Sequence, residues 1–185
     1  MTTYLEAIGR PPAEDVADRD LDVALLHEMA GAASRLRGLL GRPLAGLMRT
    51  MLDAELVRLA LRLHVHGTPG LLGELDLPEG YEVPAWLLAD IAADPATGIR
   101  NLEGTALSEA AAETGPAEIE AALRRSIVRR ADWVYAGRFM TVGPLTRFLL
   151  LREMEAVNVR AVLMAAASGM RWADVERMMA TEGGA

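Results

Sequence analysis

The chain has 185 residues, of which 51 % are hydrophobic and 24 % are charged, and its formal net charge is −7. This length allows one domain or two small lobes with substantial cores. No run approaches the roughly 18 consecutive apolar residues of a membrane span, and no signal segment opens the sequence, so we expect a cytoplasmic protein without a direct membrane span. Cysteine is absent, which excludes disulfides, thiolate metal sites and cysteine nucleophiles.

The first half of the chain predicts a helical hairpin. The pair Pro11-Pro12 breaks any helix near the start. From about Asp20 to Leu40 apolar residues recur at helical spacing, and Gly38 and Gly41 are expected to end this helix. A second long helix then extends to Gly67. Two long helices joined by a short turn form an antiparallel hairpin.

Shorter elements are predicted after this hairpin. Thr68-Pro69 offers a helix start, and Val83 to Ala93 predicts a short helix. The stretch from Asp76 to Pro84 contains two prolines and a glycine, and it is the best candidate for a linker. We therefore expect two lobes, residues 1–80 and residues 81–185.

The second half of the chain predicts another hairpin, in which Pro116 opens the first helix. The second helix has Gly143 as its N-cap, Pro144 at its first position and Gly169 as a left-handed stop. One side of it is expected to pack and the other to be charged. The packed side comprises Leu150, Met154, Val157, Ala161 and Ala165, and the other side carries Arg152, Ala156 and Arg160. No segment alternates with a two-residue period, so we expect an all-α fold.

The two long helices match each other at a constant offset of 102 residues (169 minus 67). Without a gap, identical residues then fall at Gly41, Leu47, Ala54, Val57, Arg58, Leu61 and Gly67 of the first copy. Asp53 falls on Glu155, so in both copies an acidic residue precedes the shared arginine. We interpret this match as the internal duplication of a lobe made of a hairpin with a long second helix.

The acidic and histidine pairs on these helices lack the geometry of a catalytic or metal site. Glu153 and Glu155 are two positions apart, which is about 200° around a helix, so they cannot share a substrate. The same spacing excludes His64 and His66 as a metal pair, since ligands on one helix need a spacing of three or four. Phosphate-loop, nucleophile-elbow and zinc-protease motifs are also missing. We expect no catalytic residue, no metal ligand and no cofactor.

Every basic residue is an arginine, and five of them cluster in the second half: Arg124, Arg125, Arg129, Arg130 and Arg138. The 26 acidic residues outnumber the 19 basic ones, which argues against a nucleic-acid partner. We interpret the cluster as a solvated helix face that pairs with Glu118 and Glu120.

Glu155, Asn158 and Arg160 are polar residues on an otherwise apolar helix, and they admit two interpretations. They could satisfy one another or cap a neighbouring turn, and so fix how elements dock. Alternatively, Glu155 with Arg160, or Asp53 with Arg58, could serve a small helical enzyme in a pocket between the lobes. We favour the structural interpretation because no nucleophile or phosphate loop accompanies them.

Several of these residues resemble a known family. The run EMEAVNVR from Glu153 to Arg160, with Gly169 nine residues beyond it, resembles the last repeat of the C subunit of the rotary A/V-type ATPases, which is called the d subunit in eukaryotic enzymes. The run DAELVR from Asp53 to Arg58, with Gly67, looks like the same signature in the preceding repeat, although Leu56 replaces the usual asparagine. Leu102-Glu103-Gly104-Thr105 is similar to the family's Leu-x-Gly-Thr turn. The resemblance covers roughly residues 20 to 180.

This resemblance implies an all-helical funnel of similar lobes around a pseudo-threefold axis. It also implies a non-catalytic central-stalk socket, peripheral on the cytoplasmic face of the membrane, which joins the rotor shaft subunits to the proteolipid ring and supports proton or sodium ion transport. The family has three repeats and two are found here, so the resemblance implies a form lacking the first repeat. A small helical enzyme or a generic helical scaffold unrelated to rotary ATPases is the alternative. The structural motif residues are Asp53, Arg58, Gly67, Glu153, Glu155, Asn158, Arg160 and Gly169.

Overall fold

The computed structural model describes residues 14–135 and 143–179, and these residues form helices joined by turns, without a strand. The predicted all-α class is therefore confirmed. The α-helices are α1 (Glu14–Arg35), α2 (Gly38–Val65), α3 (Ala85–Ala93), α4 (Pro95–Gly98), α5 (Pro116–Tyr135), α6 (Gly143–Ser168) and α7 (Trp172–Met178). The 3-10 helices are η1 (Pro69–Glu74), η2 (Ile99–Leu102) and η3 (Ser108–Ala112). The predicted helix break at Pro11-Pro12 and Arg138 of the arginine cluster lie outside the described residues.

The first compact unit is Met1–Pro95, and α2 is its central helix. α1 packs against α2 as the predicted hairpin, and α3 and η1 pack on α2 as well. Because α2 has neighbours on several sides, its apolar residues are buried almost all round. The completely buried ones are Leu47, Ala54, Leu56, Val57 and Ala60.

The segment from Asp76 to Pro84, predicted as a linker, is tied to the first unit. The Nε2 of His27 in α1 donates to the carbonyl of Asp76 at 2.7 Å. Asp53 in α2 accepts hydrogen bonds from the backbone of Tyr81 and Glu82. By these contacts the segment belongs to the compact unit that extends to Pro95.

The second compact unit is Ala96–Ala185, and its core is centred on α5. α6, α7 and η3 all pack on α5, and α7 also contacts α6. Met154 and Ala165 of α6 are buried, which confirms the side of this helix that was predicted to pack.

The arginines of α5 are engaged by acidic side chains. Arg124 pairs with Glu120 at 2.5 Å, as predicted. Arg125 reaches Glu109 at 3.3 Å and Glu113 at 3.2 Å, in and just after η3. These charges therefore fix η3 against α5, a role that the sequence did not predict.

The two long helices end in the same way. Gly67 has a φ of 70° and Gly169 has a φ of 67°, both in the left-handed region that favours glycine. The N–H of the residue after each glycine donates to the carbonyl five positions earlier, at 2.9 Å after Gly67 and at 3.0 Å after Gly169. This is the Schellman arrangement, and it confirms both predicted stops.

The start of α2 differs from the prediction. α1 ends at Arg35, and α2 begins at Gly38 rather than at Gly41. Gly38 has a φ of 76°, so it makes the turn that had been assigned partly to Gly41. α6 begins at Gly143, as expected.

Candidate functional site

A buried carboxylate joins α2 to the loop that precedes α3. Asp53 is only 2 % exposed, although it lies in the middle of an apolar helix. Its Oδ1 accepts the N–H of Tyr81 at 2.7 Å, and its Oδ2 accepts the N–H of Glu82 at 2.9 Å. Because α3 begins at Ala85, this pair of hydrogen bonds fixes how the chain enters α3.

Gly80 permits the close approach of this loop to the carboxylate. A Cβ at this position would lie 2.1 Å from the carbonyl oxygen of Val83 and 2.9 Å from Oδ1 of Asp53. At the far end of α3, the Nδ1 of His64 donates to the carbonyl of Ala92 at 2.9 Å. Polar contacts from α2 therefore hold both ends of α3.

Burial raises the pKa of Asp53 to about 6, and the N–H groups of Glu82 and Tyr81 limit the rise because they favour the ionised form. A carboxyl group that titrates near neutrality can indicate a catalytic site. Here both oxygens already accept backbone donors and the side chain is shielded from solvent. The geometry therefore supports a structural role for Asp53.

Arg58 has an acidic partner on its own helix. Its Nη1 pairs with Glu55, one turn earlier on α2. A groove of about 820 Å³ does lie in this unit, but its walls come from η1 and from residues 75–80 and 84–93. Neither Asp53 nor Arg58 lines it. The pair that the enzyme alternative requires is therefore not presented to this groove.

The motif residues of α6 lie at or near the surface. Glu153, Glu155 and Arg160 are exposed, and Asn158 is half-buried. Glu155 forms an ion pair with Arg152, one turn earlier. The acidic residue of the second copy therefore faces solvent, whereas its counterpart Asp53 in the first copy is buried.

An apolar surface on α6 was not predicted from the sequence. Large apolar side chains on this helix are more than half exposed: Leu145, Phe148, Leu149, Val159, Leu163 and Met164. The side predicted to be charged does carry Arg152 and Arg160, but it is mostly apolar, so that prediction was wrong. The available signal was composition, since this helix of 26 residues holds more large apolar residues than one packed stripe needs.

The Leu102–Thr105 turn, which carries part of the sequence resemblance, is formed by the backbone conformation of Gly104 and the hydrogen bonds of Thr105. Gly104 has a φ of 90°, in the left-handed region. The Oγ1 of Thr105 donates to the carbonyl of Leu102 at 2.7 Å and accepts the N–H of Leu107 at 3.1 Å. Leu102 and Leu107 are almost fully buried, so the turn places two apolar anchors in the second unit.

Three of the motif residues therefore have a structural role: Asp53 joins α2 to the approach of α3, and Gly67 and Gly169 end the two long helices. A model of the ATP synthase (C/AC39) subunit family matches residues 8–178 of this chain. The chain belongs to the ATP synthase (C/AC39) subunit family. No curated protein and no solved structure matches it.

Membership in the ATP synthase (C/AC39) subunit family confirms the resemblance that the runs DAELVR and EMEAVNVR predicted. The protein is accordingly an accessory subunit of a rotary ATPase complex. Among the helices within residues 14–135 and 143–179, none combines the length and hydrophobicity that crossing a bilayer requires. In the same residues, His, Asp and Glu form no group of three or more that could hold a metal ion.

Proposed function

We propose that this protein is the non-catalytic central-stalk socket of a rotary A/V-type ATPase. It links the rotor shaft subunits to the membrane proteolipid ring, and it supports proton or sodium ion transport in that way. Its location is peripheral, on the cytoplasmic face of the membrane, through the complex. The observation that carries the proposal is the family match over residues 8–178.

The contacts of the motif residues support a mechanical role rather than a catalytic one. A part that transmits torque has to keep its helices in fixed positions. Asp53 joins α2 to the approach of α3, and Gly67 and Gly169 end the two long helices. Arg125 joins α5 to η3 and the residue after it through two carboxylates. Each of these residues therefore stabilises a connection between elements.

The exposed apolar side chains of α6 support binding to a macromolecule. Large contiguous apolar patches on a soluble protein typically mark a surface that a partner covers. Leu149, Val159 and Leu163 lie on one side of α6 and are each more than half exposed. A socket between a shaft and a ring needs such a surface.

A small helical enzyme remains the alternative, and the raised pKa of Asp53 is the observation that would favour it. An enzyme needs that carboxyl group to reach a substrate. Both oxygens instead accept backbone N–H groups, and neither Asp53 nor Arg58 lines the groove of the first unit. We therefore favour the socket.

The proposal is tested by co-purification with affinity-tagged rotor shaft subunits of a rotary ATPase, alongside an ATP hydrolysis assay of the protein alone. We expect the protein to be retained by the shaft subunits and to hydrolyse no ATP by itself. Short washes are used so that a complex with a fast dissociation rate is still retained. ATP hydrolysis by the purified protein, or no retention under any wash, would contradict the proposal.

A further inference from the structure

The first unit shows how one stripe of its long helix is covered. Leu47, Ala54 and Val57 lie on one side of α2 at helical spacing and are completely buried. Besides α1, the elements that pack on α2 are η1 and α3. The carboxylate of Asp53 lies beside this stripe and holds the loop that enters α3.

The same stripe exists on α6, where it is exposed. At the offset of 102 residues the counterparts of Leu47, Val57 and Leu61 are Leu149, Val159 and Leu163, with identical side chains. These counterparts are 57 %, 54 % and 64 % exposed. Ala156, the counterpart of Ala54, is also exposed. Four of the seven identities between the copies therefore fall on this stripe. On α2 its residues are buried, except that Leu61 at the end is half-buried, and on α6 all four are exposed.

The other side of the two helices is buried in both copies, so the difference in exposure is specific to the stripe. Leu52 and its counterpart Met154 are both buried, and so are Leu63 and its counterpart Ala165. Met154 packs with Ala121 and Val128 of α5, its partner helix in the hairpin. The stripe is buried in the first unit, whose α2 is packed by α1, α3 and η1, and it is exposed in the second, where α7 packs on α6 and leaves Val159 54 % exposed.

The acidic residue beside the stripe follows the same pattern. Asp53 accepts two backbone N–H groups of the segment that covers its helix. Its counterpart Glu155 is exposed and pairs with Arg152 on its own helix. A carboxylate therefore stands at this register on α6 as well, and backbone donors of an incoming segment would replace Arg152 as its partner.

We propose that the α6 stripe (Leu149, Ala156, Val159 and Leu163), together with Glu155, is a docking site for a helical segment of another polypeptide. The segment has the chemistry of residues 79–94 of this chain: a glycine-containing loop whose backbone N–H groups meet a carboxylate, followed by a short helix with one apolar side. The apolar side is represented by Leu87, Leu88 and Ile91 of α3, all of which are buried. α3 itself is held on α2, so the occupant of α6 comes from elsewhere.

The arginines on the α6 surface indicate the charge of the partner segment. Arg152 stands within the α6 surface where the first copy has Thr50, and Arg160 is exposed beside it. Residues 79–94 include four acidic residues and no basic one. An acidic loop-and-helix segment can therefore pair with Arg160, and with Arg152 once Glu155 accepts the backbone donors instead. This inference rests on the comparison of the two copies and does not depend on which complex the protein joins.

The test uses a fluorescently labelled synthetic peptide of residues 79–94 and the full-length protein, with binding followed by fluorescence anisotropy. We expect saturable binding that Val159→Asp weakens at least about tenfold, because a buried charge replaces an apolar contact. Met164→Asp is the matched control, since Met164 is an equally exposed apolar residue on α6 outside the stripe. A peptide with Ile91→Asp should bind at least about tenfold more weakly than the original.

Two further measurements keep the outcome unambiguous. Circular dichroism confirms that each variant is folded, and Leu149→Ser replaces Val159→Asp if that variant is not. Hydrogen exchange with and without peptide should show added protection on α6 around residues 149–163. Equal binding by the wild type and the stripe variants, protection confined to α2, or no saturable binding would each overturn the proposal.

Discussion

The replacement Asp53→Asn tests the structural role of the buried carboxyl group. Asparagine keeps the volume of the side chain but stays neutral at every pH. It also offers one acceptor oxygen where the carboxylate offers two to Tyr81 and Glu82. The stability difference between the wild type and this variant therefore reports the titration of Asp53 in the folded chain.

The sign of the effect follows from the pKa. Burial raises the pKa of Asp53 from 3.8 to about 6, so the folded chain binds this proton more tightly than the unfolded chain does. Protonation of Asp53 therefore stabilises the folded chain as the pH falls from 6 toward 3.8, the pKa in the unfolded chain. This stabilisation is lost as the pH rises through 6. From pH 8 to pH 5 the linkage relation gives about 1.4 kcal/mol, because one pH unit below the folded pKa corresponds to about 1.36 kcal/mol.

The measurement is urea unfolding of both proteins at pH 5 and pH 8, followed by far-ultraviolet circular dichroism. Relative to Asp53→Asn, the wild type should be more stable at pH 5 than at pH 8 by about 1.4 kcal/mol. Asp90→Asn, at an exposed position on α3, is the control for a general charge effect. If the wild type instead gains relative stability at pH 8, the backbone donors outweigh burial and the reasoning is wrong.

Three other replacements test separate contacts by shifts in urea midpoint. Gly80→Ala should lower the free energy of unfolding by about 1 to 3 kcal/mol, because the new Cβ meets the Val83 carbonyl oxygen. Gly73→Ala is the control, since its Cβ enters open space and should change stability little. Equal effects of the two replacements would contradict the close approach at Gly80. Gly169→Ala should cost about 1 to 2 kcal/mol because of its left-handed φ, and an unchanged midpoint would count against the Schellman stop. Arg125→Ala should lower the free energy of unfolding by about 1 to 2 kcal/mol, because Glu109 and Glu113 lose their partner. Replacement of the exposed Arg160 by alanine should change it by no more than about 0.5 kcal/mol. A larger loss for Arg160→Ala than for Arg125→Ala would refute the assigned contacts.

The parts of the fold that could be predicted are those set by helix-starting and helix-ending residues. Pro116 at a helix start and the glycines at 67 and 169 act through their own backbone preferences, and these need no knowledge of distant contacts. The starts of both helices of the second hairpin and the end of α6 could therefore be predicted from the sequence. The turn between α1 and α2 was placed less well, because Gly38 and Gly41 both offered a break and only Gly38 takes a positive φ.

Tertiary contacts explain what could not be predicted. The Gly- and Pro-containing segment at residues 76–84 has the composition of a linker, but Asp53 binds its backbone from 28 positions earlier in the chain. No local pattern reveals that bond. In the same way, the apolar stripe on α6 differs from the one on α2 only in what covers it. The sequence predicts the duplication, and the structure shows that the stripe is buried on α2 and exposed on α6.

The most direct test of the proposed socket is a bridging experiment with proteolipid rings in vesicles and soluble shaft subunits of a rotary ATPase. The vesicles are sedimented with and without this protein, and the amount of shaft subunit in the pellet is measured. We expect the shaft subunits to sediment with ring-containing vesicles only when the protein is present, and not with vesicles that lack the ring. Sedimentation of the shaft subunits that does not depend on the protein, or none in its presence, would contradict the claim that it links the two.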